Sequence, residues 1–209
     1  MVYMLLIGDA HIPRRATEVS LYIMDKLTQL TSKTLFDYTF FTGDLVKAQD
    51  FLQFLNIRTK NDVFTVIGNM DYYGGNKESP LYHQLSVPLK DGTNIIIGLT
   101  HGHQISPRGD LTQLELLALE KNYNILISGH THKEEIHLTS NGILLLNPGS
   151  VTGAWSFIAS GIPSFITLLL NTEDNTLTIT LFQLNAKSYD IKETTTYFLF
   201  KNSKVTHNI

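Results

Sequence analysis

Cysteine is absent from this 209-residue chain. That excludes a disulfide framework and thiolate-held metal sites, and it fits a reducing compartment. Charge is sparse: Asp, Glu, Lys and Arg make up 17% of the residues, and the formal net charge is −3. Phosphate-backbone binding needs clustered Lys and Arg, so no nucleic-acid surface is expected. Arg14-Arg15 is the one adjacent basic pair, and a solvated loop accounts for it. Long apolar runs are also missing. Stretches such as Ser164–Leu170 fall far below the roughly 18 residues of a membrane helix, so direct membrane insertion is not expected. The apolar start Met1–Ile7 is interrupted by Asp9 and His11 before any cleavage-type motif, which argues against a signal peptide. What is present is 43% apolar residues, enough to bury one substantial core. The expected organisation is a single domain over residues 1–200 and a polar C-terminal tail over residues 201–209.

The first two-thirds alternate buried strand, polar turn and amphipathic helix. Tyr3–Ile7 reads as a buried strand ending at Gly8-Asp9. Val19, Ile23, Leu27 and Leu30 then recur at helical spacing. Tyr38–Thr42 is a second strand ending at Gly43-Asp44, Gln49–Asn56 a short helix, and Val63–Ile67 a third strand with Gly68-Asn69-Met70-Asp71 as its exit loop. Ile95–Thr100 runs into His101, Leu111–Glu120 is a helix, and Ile125–Ser128 runs into Gly129-His130-Thr131-His132. Beyond that point only strands are expected, over 135–139, 143–146, 165–170, 177–184 and 194–200, with Asn141-Gly142 as a hairpin turn.

Asp9, His11, Asp44, Asn69, His101, His130 and His132 each fall just past a strand. Open α/β sheets collect their ligand sites at that end, because the strand fixes position and the loop supplies chemistry. Singly, each of these residues is unremarkable: Gly-Asp after a strand is commonly a turn, and Asn a turn residue. Their joint order is the signal. Carboxylate, amide oxygen and neutral imidazole suit Mn, Zn or Fe. The expected arrangement is two divalent ions, one held by Asp9, His11, Asp44 and His132, the other by Asp44, Asn69, His101 and His130. His83, His137 and His207 lack this context and are read as structural or solvated.

This order resembles the metallophosphoesterase family, whose pattern runs D-x-H, GD, GNH-[DE], a later H, and GHxH. The matching residues are Gly8-Asp9-Ala10-His11, Gly43-Asp44, Gly68-Asn69-Met70-Asp71, His101 and Gly129-His130-Thr131-His132. The resemblance implies an α/β fold, a four-layer αββα sandwich with two mixed sheets flanked by helices, and Asp44 as the bridging ligand. It also implies weak phosphodiesterase activity, because Met70 stands where strong phosphatases carry a proton-donating His. His103 and Asp71 are the nearby substitutes for that catalytic role.

A closer resemblance lies in the segments Asp9–Pro13, His101–Gln104, Pro107–Asp110, Ile125–Lys133, Asn147–Ala154 and Ile162–Phe165. They are similar to the metallophosphoesterase-fold small subunits of retromer. That implies a scaffold for endosomal protein sorting, cytoplasmic and peripheral on endosomes, which binds an α-solenoid retromer subunit through Ile12, Pro13, Ile105 and Pro107. The chain departs by keeping all seven ligands and by placing Ser106 and Arg108 among those apolar positions. The alternative is a stand-alone metal-dependent phosphodiesterase acting on a small phosphodiester. Trp155, Phe157 and Ile158, between Gly153 and Gly161, show neither strand nor helix period. They are expected in an exposed loop that offers a second partner surface.

Overall fold

The computed structural model describes residues 1–75 and 78–207. Its first strand, β1 (Val2–Ile7), lies in the interior of the larger sheet. There it pairs in parallel with β2 (Phe36–Phe41) and antiparallel with β9 (Ser164–Asn171). Period-2 alternation sends Met4 and Leu6 to the core between two sheets and Leu5 and Ile7 to the opposite face. On that opposite face lie α1 (Leu21–Leu30), which buries Ile23 and Leu27, and α2 (Gln49–Ile57), which buries Phe51 and Leu55.

The larger sheet has the order β12-β11-β10-β9-β1-β2-β3, with β3 at Thr59–Thr65, β10 at Thr176–Leu184, β11 at Ile191–Lys201 and β12 at Lys204–His207. The smaller sheet has the order β4-β5-β6-β8-β7. Its strands are β4 (Tyr82–Pro88), β5 (Asn94–Thr100), β6 (Ile125–Ile127), β7 (Glu134–Leu138) and β8 (Leu144–Pro148). Ile125 and Ile127 face the inter-sheet core, while Leu126 joins Leu114 and Ala118 of α4 (Leu111–Glu120) outside it. The result is helix, sheet, sheet, helix, in mixed sheets, as expected of a metallophosphoesterase sandwich.

Three elements differ from the sequence reading. The exit loop after β3 contains a short helix, α3 (Asn69–Tyr73), whose start is held by the Asp71 carboxylate accepting from Gly68 N at 3.1 Å. Strand β4 escapes pattern reading because its alternation is short, with Gln84 and Ser86 exposed and His83 taking an inward position beside Leu85 and Val87. It lies at an edge, where one neighbour suffices. Residues Lys204–His207, read as polar tail, form β12 by pairing with β11 and bury Val205.

Candidate metal centre

The strand register brings the expected ligands together. β1 and β2 run in step to Ile7↔Phe41, so the chains that leave them are paired by Asp9 N→Gly43 O and His11 N→Asp44 O, both 2.9 Å. The smaller sheet adds His101 after β5 and His130 and His132 after β6, linked by Gly129 N→His101 O at 3.0 Å. The two groups meet across the sandwich, where His130 N donates to Asp9 Oδ2 at 3.2 Å. Five ligands sit in the left-handed region: Asp9, His11, Asp44, His130 and His132 have φ between 51° and 68°. Non-glycine residues there cost about 1–3 kcal/mol each and persist where the surroundings impose them, which is common at functional sites.

Small residues permit the approach. A Cβ on Gly68 would lie 2.0 Å from Asp44 Oδ1, and one on Gly129 would lie 2.3 Å from Asp9 Oδ2. Any side chain at either position would displace a ligand carboxylate.

Asp9, His11, Asp44 and His132 are buried, and their ligating atoms all lie within 4.8 Å of one another. His11 Nε2 is 2.9 Å from His132 Nε2 and 3.3 Å from Asp44 Oδ2, and His132 Nε2 is 3.2 Å from Asp9 Oδ1. A second group converges beside it: His101 Nε2 lies 3.2 Å from Asn69 Oδ1, 3.2 Å from His130 Nδ1 and 3.5 Å from Asp44 Oδ2. Asp44 Oδ2 thus faces both groups. All seven expected ligands are brought together.

The surrounding bonds prepare the imidazoles as ligands. His132 Nδ1 lies 2.8 Å from Ala154 O, and His101 Nδ1 lies 2.7 Å from Thr42 O. A carbonyl can only accept, so each ring carries its proton on Nδ1 and aims an Nε2 lone pair inward. Lone pairs and carboxylate oxygens crowded into a buried space, with His11 Nδ1 also lacking a protein partner, form a donor set that a divalent cation fits. Burial drives the pKa of His130 down to about 3, helped by the charges of His101 and Arg108, so this ring is neutral at physiological pH. Burial alone would raise Asp9, but when no ion is bound and the surrounding imidazoles can hold a second proton, hydrogen bonds from His11 and His132 and the charge of His101 hold it well below the usual carboxylate range.

The other expected site residues lie close by. Both oxygens of Asp71 accept backbone N–H bonds, from Asp44 N and Val46 N at 2.7 Å and from Gly68 N at 3.1 Å. Burial raises its pKa, and these bonds offset part of the shift. The His103 ring is 5.5 Å from that of His101, with Nδ1 buried and unpartnered. Met70 N donates to Asp44 Oδ1 at 2.7 Å. Pro13 and Pro107 are exposed and Ile12 is half-buried, whereas Ile105 is packed beneath α4 with Leu114 and Leu126. Trp155 and Phe157 are 64% and 85% exposed, as expected of that loop.

Sequence reasoning missed the polar residues behind the ligands. Thr42 Oγ1 donates to Asp9 Oδ2 at 3.0 Å, and Ser150 Oγ donates to Asp9 O at 2.8 Å. Asn147 Nδ2 donates to Gly129 O and Thr131 Oγ1, both at 3.0 Å. Their segments stood out, but a buried Thr, Ser or Asn carries no periodicity that reveals its partner.

A double-sheet sandwich whose strand ends converge on clustered carboxylates and imidazoles defines the metallophosphoesterase fold class. Residues 3–173 match the calcineurin-like phosphoesterase superfamily domain, and the chain belongs to that family. It is 35% identical to a "probable metallophosphoesterase" of Methanothermobacter thermautotrophicus over 147 residues, 70% of this chain and 76% of that protein. Among solved structures it is similar to vacuolar protein sorting 29 of Cryptosporidium parvum (TM-score 0.81, 29% identity, 95% of this chain and 98% of that one). It is also similar to the zinc complex of Vps29 from Entamoeba histolytica (TM-score 0.77, 30% identity, 93% of this chain and 99% of that one).

Proposed function

We propose that the chain is a retromer-type scaffold subunit in endosomal protein sorting, cytoplasmic and peripheral on endosomes, whose two-ion site shapes loops that receive the end of an α-solenoid partner. The observation that carries this reading is the apolar rim around a buried ligand cluster. Pro13 and Pro107 are exposed on loops that carry expected ligands, and Trp155 and Phe157 on the loop whose Ala154 carbonyl holds His132, where a free enzyme has no need of them. The likeness to Vps29 proteins over nearly the whole chain supports it. Asp9, His11, Asp44 and His132 would hold one ion and Asp44, Asn69, His101 and His130 the other. The zinc complex of the Entamoeba relative supports zinc as an occupant.

The test is affinity purification from the source cell. A helical-repeat protein recovered stoichiometrically with the chain is the expected result. Recovery of the chain alone contradicts the scaffold reading.

One observation favours a second reading, a metal-dependent phosphodiesterase: the complete ligand set. Bound ions of this kind supply an activated water and stabilise charge on a phosphoryl group. The chain's own residues would orient that chemistry. Ala154 O and Thr42 O fix the tautomers of His132 and His101, and Met70 N steers the Asp44 carboxylate. Asp71, with both oxygens occupied by backbone N–H groups, serves to position Asp44, which leaves His103 as the candidate proton donor, a weak one because burial lowers its pKa and keeps the ring neutral. A thioether at position 70 cannot protonate a leaving group, so aryl phosphodiesters should react far faster than alkyl ones. Met70→His should raise alkyl turnover by about 10²–10⁴-fold. Absence of turnover even for the most activated aryl ester would remove this reading.

A further inference from the structure

Trp155 is the only tryptophan in the chain, and it lies exposed one residue from the carbonyl that orients His132. Its loop is firmly held. Arg15 Nη1 donates to Trp155 O at 2.8 Å, Ser156 Oγ donates to Thr131 O at 2.6 Å, and Ser160 N donates to His132 O at 3.4 Å. Trp155 and Phe157 pack edge to face with centroids 5.0 Å apart. An exposed aromatic pair held this way loses little entropy on docking, which is the property of an interface anchor. Ile158 reaches the opposite loop, where a Cβ on Gly109 would lie 3.9 Å from its Cδ1, and it roofs a cavity of about 220 Å³. The cavity is lined by Leu111, Leu114 and Leu145, with Lys133 and Glu135 on its wall.

Charge around this surface departs from that of the chain. The net charge is −3, yet Arg15 and Arg108 lie on its flanks. Both are exposed. Arg15 is tied to the Trp155 carbonyl, and Arg108 adjoins Gly109, the residue that approaches Ile158. Lys133 is exposed as well.

We infer that Trp155, Phe157 and Ile158 form a docking surface for an acidic segment of a partner protein, with an apolar side chain of that segment entering the cavity beneath Ile158 and its carboxylates meeting Arg15 and Arg108. The inference deepens the scaffold reading and rests on it, since it names the chemistry of the partner's contact. Complementary charge selects the partner and sets the encounter rate, while the aromatic pair and the cavity supply affinity.

The probe is a random linear-peptide library selected against the immobilised metal-loaded protein, with parallel selections on Arg15→Glu/Arg108→Glu and on Phe157→Ser. Both variants change exposed positions, and circular dichroism checks that they fold. The expected result is enrichment of net-negative peptides carrying a large apolar residue. Their affinity should fall at least ~10-fold on the charge-reversed variant and by ~30-fold on Phe157→Ser. Enrichment of neutral or basic peptides, equal binding to the variants, or no enrichment overturns the inference. Recovery of a helical-repeat partner is measured separately. If that partner is recovered and the selection fails, the docking chemistry is wrong and the scaffold reading stands; if neither succeeds, both fall.

Discussion

Five of the seven expected ligands, Asp9, His11, Asp44, His130 and His132, are held by a backbone forced into the left-handed region as well as by their surroundings. His130 illustrates the consequence. Burial among His101, His103 and Arg108 lowers its folded-state pKa to about 3, against about 6.5 for an unfolded histidine. Between those values the unfolded chain binds a proton that the folded chain does not. Stability from this group is therefore fully present above about pH 6.5 and is lost as pH falls toward 3. The metal-free protein should show that decline in urea unfolding, and His130→Ala should show a shallower one. Equal slopes in the two proteins would mean that the ring protonates freely in the folded state. The same lowered pKa leaves a neutral imidazole, so an ion displaces no proton from it near neutral pH.

At the scale of elements, what could be read from the sequence was whatever periodicity and strand ends reveal. Strands β1, β5 and β6 are largely apolar runs with buried residues on both faces, and six of the seven expected ligands follow β1, β2, β5 or β6, while Asn69 follows the more polar β3. α4 was legible at its observed bounds, Leu111–Glu120. The edge strands β4 and β12 were not, since an edge tolerates polar residues and needs one partner. Ile105 was misleading for a related reason: an apolar residue in a loop can turn inward, and this one fills the space beneath α4. The loop at Trp155 went the other way, exposed as its aperiodic segment suggested. Because Ala154 O pairs with His132 Nδ1, filling the ion site should alter the neighbouring tryptophan. Titrating Mn²⁺ or Zn²⁺ into the metal-free protein should change Trp155 fluorescence to saturation, and His132→Ala should abolish the change. An unchanged emission while calorimetry reports binding would uncouple the loop from the site.

For the whole molecule, the sandwich brings together residues separated by up to 123 positions in sequence, from Asp9 to His132, at the seam where the two sheets' strand ends meet. Neither sheet alone holds a complete set: the larger contributes Asp9, His11, Asp44 and Asn69, the smaller His101, His130 and His132. Asp44 Oδ2 faces both groups, 3.3 Å from His11 Nε2 and 3.5 Å from His101 Nε2. The account therefore turns on ion stoichiometry, which elemental analysis of purified protein measures directly. It predicts two divalent ions per wild-type chain, one in His132→Ala, one in Asn69→Ala and none in Asp44→Ala. Two ions retained by Asp44→Ala, or a wild-type protein that binds none after incubation with Zn²⁺ or Mn²⁺, would contradict it.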